Sequence, residues 1–184
     1  MKNYWQNAVT FDKYIKETER RIEVQNPEDD HNEYYELGLQ RMNRTLKTYK
    51  ADEKQLETLK SKNFNGKILI ITEPWCGDAS ATVPAVSKFF EGHNEVRIFY
   101  RDSDTSLIDQ FLTNGTQSIP KILILNEDFS LKNVWGPRPQ YGTELLKKFK
   151  ENPETYPREE FYNDLQVYYA KNKGKDAIQE ILEL

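Results

Sequence analysis

The sequence predicts an α/β fold in which a mixed four-stranded sheet is wrapped by helices, and three observations predict it. Residues 67–72 (KILIIT) form a nearly continuous apolar run, as expected of a central strand covered on both faces. From residue 65 to about 150, strand-like runs alternate with helical spacing in the order β-α-β-α-β-β-α. On either side of that stretch the periodicity is helical only. The chain therefore divides into an N-terminal helical extension (1–64), a core (65–152) and C-terminal helices (153–184), expected to pack as one compact unit.

In the first zone, Trp5, Ala8, Phe11, Ile15, Thr18 and Ile22 recur three or four apart and predict one helix, ended by Asn26-Pro27. Tyr35, Leu39, Met42, Leu46 and Tyr49 predict a second. Asp52, with Gln55 three residues on, predicts a capping box for a third that turns Leu56 and Leu59 inward. Asn65-Gly66 marks the turn into the first strand, Lys67 to Thr72. Helical spacing follows from Gly77 to Phe90, with Pro84 expected to bend it. Glu95 to Tyr100 alternates as a second strand, and Ser106 opens a short helix through Ile108, Phe111 and Leu112. Strands Lys121 to Leu125 and Leu131 to Trp135 form a hairpin, whereas the first two strands, joined through a helix, should be parallel. Helices are expected at Tyr141 to Lys150, after Pro157, and from Asp176 to Leu184.

Charge narrows the function classes. The 26 basic and 30 acidic residues leave a net charge of −4, which argues against nucleic acid or an anionic membrane surface as the main partner. The first residues lack the apolar stretch of a secretory signal, and no aliphatic run approaches the about 20 residues of a membrane span. A single cysteine excludes an internal disulfide and fits a reducing, cytoplasmic compartment. His31 and His93 lie in polar surroundings without a ligand cluster, so they are read as solvated and no metal is expected.

That cysteine lies in TEPWCGDASA, residues 72–81. Cys76 stands at the carboxyl end of the first strand and the start of a helix, where free N–H groups and the helix dipole favour a thiolate. Gly77 is expected to leave the sulfur accessible, while Asp78, a carboxylate in the first turn, opposes ionisation. Sequence alone leaves the sign of the net shift open.

Trp-Cys-Gly after a buried strand, a proline within the following helix and Ile119-Pro120 opening the next strand together resemble the thioredoxin superfamily over residues 65 to 150. TNGTQSIPKILIL followed by WGPRP is similar to a bacterial group described only as thioredoxin family proteins. The resemblance implies that Cys76 is the nucleophile and Trp75 its shield. It further implies that Pro120 is cis beside the sulfur, with the Ile119 backbone as a ledge for an extended peptide. Ala79 departs from the pattern, because the family's resolving cysteine falls there and dithiol exchange needs it.

Two functions stay open. One is a monothiol thiol-disulfide oxidoreductase acting through Cys76 on a protein or low-molecular-weight disulfide. It would need no resident cofactor, with glutathione or a similar thiol as co-substrate. The other is a non-catalytic binding module for a protein or small molecule. Arg138, between two prolines, either binds a substrate carboxylate or ties its loop down. Asp102 could approach the site, the terminal tyrosines are read as packing, Trp135 as rim, and Glu28-Asp29-Asp30 as a solvated turn.

Overall fold

A computed structural model describes all residues, 1–184. Its elements run α1 (Lys2–Asn7), α2 (Phe11–Val24), α3 (Asn32–Thr48), α4 (Glu53–Lys62), β1 (Lys67–Thr72), α5 (Gly77–Phe90), β2 (Glu95–Tyr100), β3 (Lys121–Leu125), β4 (Leu131–Trp135), α6 (Gln140–Glu151), α7 (Arg158–Asn172) and α8 (Lys175–Glu183). The four strands form one sheet in the order β2-β1-β3-β4. β1 pairs parallel with β2, and antiparallel pairing joins β1 to β3 and β3 to β4. All four strands fall where the sequence pattern predicts them; β1 and β3 are buried on both faces, which leaves little freedom in their ends.

The helices explain why that core is enclosed. α5 is apolar almost all round, with Pro84 inside it and only Gly77 and Lys88 escaping burial; such a helix must be covered on every side. It packs on β1 and β2, and α3, α7 and α8 close over its outer surface. Most of the buried apolar side chains form one cluster, which draws Trp5, Phe11 and Tyr14 from the first helices and Ile178, Ile181 and Leu182 from the last. Both extensions are thus parts of the core rather than appendages.

Two expectations fail locally. The single helix predicted through Trp5 and Ile22 is two helices, α1 and α2. Between them Val9 bridges to Ile98 in both directions at 2.8 Å, and the Thr10 side chain caps α2. The unpaired outer edge of β2 supplies the missing force: its backbone groups gain partners only if the helix breaks. The short helix predicted from Ser106 is reduced to a 3-10 turn at Ile108–Phe111, preceded by another at Arg101–Ser103, with the Asp104 side chain accepting from the Ser106 N–H in the tight turn between them. At α4, Asp52 does accept from the N–H groups of Lys54 and Gln55. Gln55 does not complete the box. It donates to the Lys175 carbonyl at 2.9 Å and is buried against α8.

Gly38 sets how closely α3 approaches the site. A Cβ there would stand 2.5 Å from the Pro74 carbonyl oxygen, a backbone atom. Alanine should gain about 1 kcal/mol in helix propensity, but overpacking costs about 1–3 kcal/mol and is relieved only by moving the helix. Gly38→Ala is therefore expected to lose up to about 2 kcal/mol in urea unfolding, and a variant more stable than the parent would contradict this packing.

Candidate functional site

The site is built where β1 ends. Glu73 and Pro74 are buried, and the Glu73 carboxylate accepts from the Asp102 N–H at 2.9 Å and from Arg21 Nη1 at 3.2 Å. Burial raises the Glu73 pKa, with the Asp102 N–H working against it. This carboxylate locks the turn, the Cys76 N–H donates back to the Glu73 carbonyl, and Cys76 becomes the N-cap of α5. Trp75 lies across the mouth. His31 stacks on it with centroids 4.5 Å apart and planes 14° from parallel, the Arg101 guanidinium sits 4.7 Å from its ring, and its Nε1–H donates to Asp102. His31 is accordingly not a free surface residue, and Asp29 beside it accepts from the Tyr35 hydroxyl at 2.6 Å rather than facing water alone.

The sulfur itself differs from expectation. Cys76 is only 8% exposed, and its thiol donates to the Ile119 carbonyl at 3.4 Å. Gly77 does not open it. Burial, then the nearby Asp78 charge, push the thiol pKa up to about 12, against the opposing pull of the Ala79 and Asp78 N–H groups and of Arg138. The helix start does favour the thiolate, but desolvation outweighs it. At neutral pH Cys76 is a protonated thiol.

Asp78 explains much of the surrounding order. Its side chain is almost fully buried, and Arg138 Nη2 lies 2.6 Å from one oxygen while the Tyr169 hydroxyl donates to the other at 2.7 Å. Burial raises the Asp78 pKa, and Arg138 offsets part of that. Arg138 therefore ties the loop after β4 to the start of α5 through Nη2, while its Nε has no partner and the residue lines the openings. Tyr169 is a site residue that its apolar spacing on α7 conceals. A buried first-turn carboxylate needs partners, and that requirement was the available signal.

The residues expected around the cysteine turn gather here. Trp75, Cys76, Gly77, Asp78 and Arg138 line a cleft of about 620 Å³, and Ile119 joins Trp75, Cys76 and Arg138 along a shallower groove of about 320 Å³. Pro120 lies buried beneath, its peptide bond to Ile119 cis. The Ile119 carbonyl accepts from the thiol, so the ledge and the sulfur are directly linked. Trp135 lies away from both openings and donates to Glu180 at 2.7 Å. The larger cleft also holds residues that the sequence did not flag, among them Tyr34 and Arg41 from α3 and Arg158 and Gln166 from α7. Their signal was invisible because the cleft exists only once the two extensions meet across α5. No group of three or more His, Cys, Asp or Glu side chains is placed to hold a metal ion, and no helix is long and apolar enough to cross a membrane.

Comparison with known proteins bears on the family. A family model described as Thioredoxin matches residues 24–150, well over half of the chain. No curated protein matches it. Among solved structures, an HIV epitope-scaffold is similar over 98% of this chain and 94% of its own, at 15% identity and a TM-score of 0.61. A protein of unknown function from Pseudomonas aeruginosa is similar over 98% and 93%, at 17% identity and a TM-score of 0.60. At such identities the likeness is one of fold, and it includes the terminal helices. With the cysteine turn, the sheet order and the matched span agreeing, the chain belongs to the thioredoxin family.

Proposed function

We propose that this chain is a thioredoxin-fold binding module in which Cys76 rests as a neutral thiol at the floor of a ligand cleft. One observation carries this: the sulfur is buried, bonded to the Ile119 carbonyl and held protonated, while Ala79 occupies the place of a resolving thiol. A nucleophile needs the opposite, an exposed sulfur with a depressed pKa. A cleft of about 620 Å³ meanwhile has the size of small-molecule sites. A reducing cytoplasm would keep the single thiol in this state.

Monothiol exchange is the second reading, favoured by the Asp78 and Ala79 N–H groups directed at the sulfur. In that cycle the Cys76 thiolate bonds to one sulfur of a disulfide, and the other leaves as a thiolate and takes up a proton. An external thiol such as glutathione then attacks the mixed disulfide and releases Cys76.

Iodoacetamide labelling of Cys76 against pH separates the two. The binding module predicts slow labelling at pH 7 and a midpoint far above the about 8.5 of a free cysteine, together with no reduction of insulin disulfides. A midpoint below about 7 would establish the exchange enzyme instead. Asp78→Asn removes the like charge and should lower the midpoint by about one unit, raising the labelling rate near neutrality about tenfold.

Stability should respond to the same carboxylate. Arg138→Leu strips a buried ion of its partner and is expected to cost about 3–5 kcal/mol at pH 7. Asp78 has a folded-state pKa above its unfolded value, and more so without Arg138. Its protonated form is therefore compatible with the fold at low pH, and stability is lost as pH rises through the folded pKa. The deficit of the variant relative to the parent should then shrink between pH 7 and pH 4.5 in urea unfolding; a deficit independent of pH would remove Asp78 as its cause.

A further inference from the structure

We propose that the cleft between α3 and α7 binds a small organic anion, its carboxylate or phosphate held by Arg41 and Gln166 over the start of α5 and its apolar body against Tyr34, Leu37 and Tyr162. This rests on the site being a binding cleft and adds the class of ligand.

The charge balance is the first support. The protein as a whole is acidic, yet this cleft gathers Arg41, Arg138 and Arg158 around one carboxylate, Asp78. That carboxylate is consumed by Arg138 and Tyr169. Arg158 leans on the Tyr162 hydroxyl and ring and meets no acid. A cleft of one sign within a protein of the other focuses ions of complementary charge.

Arg41 is the second. It is partly buried and neither an ion pair nor a hydrogen bond links it to a protein acceptor. Burial, with the charge of Arg44 beside it, lowers its pKa, so the fold bears the cost of this cation without a partner for it. Its position is definite. Built outward from Gly77, a Cβ would stand 3.5 Å from Arg41 Nη1 and 3.8 Å from Gln166 Nε2. A guanidinium from α3 and an amide from α7 therefore converge on one point at the uncapped start of α5, and neither has an acceptor there. Two side-chain donors from different helices meeting without an acceptor describe the vacant half of a charge-assisted hydrogen-bond set.

The body of the ligand is bounded by the walls. Tyr34, Leu37 and Tyr162 are exposed despite their size, and all three face this opening. About 620 Å³ admits a compact molecule with an aromatic or aliphatic body.

The test is calorimetric titration of the full chain with three probes: phenyl phosphate, 3-phenylpropanoate and the neutral 3-phenylpropanamide. One or both anions should bind, more weakly as salt rises, and the amide at least ~10-fold more weakly. The better anion tells phosphate from carboxylate. Arg41→Gln and Gln166→Leu should each weaken anion binding, the first by ~10–100-fold. Lys150→Gln, at an exposed lysine of α6 that does not line the cleft, should leave it unchanged, and circular dichroism with thermal melting confirms that each variant is folded. No binding of either anion at millimolar concentration, equal binding of the amide, an unaffected Arg41→Gln, or binding seen only with an acidic peptide would each overturn the proposal. Fast labelling of Cys76 near neutrality with anion binding intact would instead remove the neutral-thiol reading and leave this one standing.

Discussion

The buried carboxylate of Asp78 is the constraint on which the site depends. An ion this deep is tolerated only with partners of fixed geometry, and its two partners come from distant parts of the chain: Arg138 from the loop after β4 and Tyr169 from α7. The clamp therefore fixes three things together, namely the first turn of α5, the proline-flanked loop and the C-terminal helix that walls the cleft. It also sets the chemistry, because a negative charge beside the sulfur adds to burial in keeping the thiol protonated. One interaction both assembles the site and adds to the burial that raises the thiol pKa.

The sheet was readable in the sequence because strands buried on both faces advertise themselves as apolar runs with sharp ends. Lys67–Thr72 and Lys121–Leu125 are of this kind. The split between α1 and α2 was not readable, since the apolar spacing from Trp5 to Ile22 is continuous and only the open edge of β2 gives Val9 a reason to leave the helix. Cys76, Trp75, Ile119, Pro120 and Arg138 were legible from the turn and its neighbours. The sulfur's environment was not. Helix-start electrostatics is a local effect visible in sequence, whereas desolvation depends on tertiary packing, and the neighbours of Cys76 are held by distant residues: His31, Arg101 and Asp102 pin Trp75, and Arg138 and Tyr169 pin Asp78.

The tyrosines of α7 show the same limit. Their spacing suits packing, and Phe161, Leu165 and Tyr169 do form a small second cluster with Ala81 and Leu145. Yet Tyr169 also carries a hydroxyl to the one buried carboxylate of α5. A side chain with an apolar body and a polar tip serves both purposes, so periodicity reports the first and hides the second. Trp75 behaves similarly: its ring is stacked by His31 and Arg101 while its N–H is held by Asp102, a pinned shutter rather than a loose rim residue.

The junction between α4 and α8 has a consequence for how the molecule comes into being. Asp52 pairs with Lys175 at 2.8 Å, and Gln55 reaches the Lys175 carbonyl and Gln179, so two segments more than a hundred residues apart in the chain fasten to each other. A growing polypeptide emerging from the ribosome can pair β1 with β2 early, but the polar partners of Asp52 and Gln55 arrive only when α8 has been made. Docking of α8 on α4 and α5 thus depends on a segment synthesised well after the sheet, like a clasp whose two halves are made far apart in time.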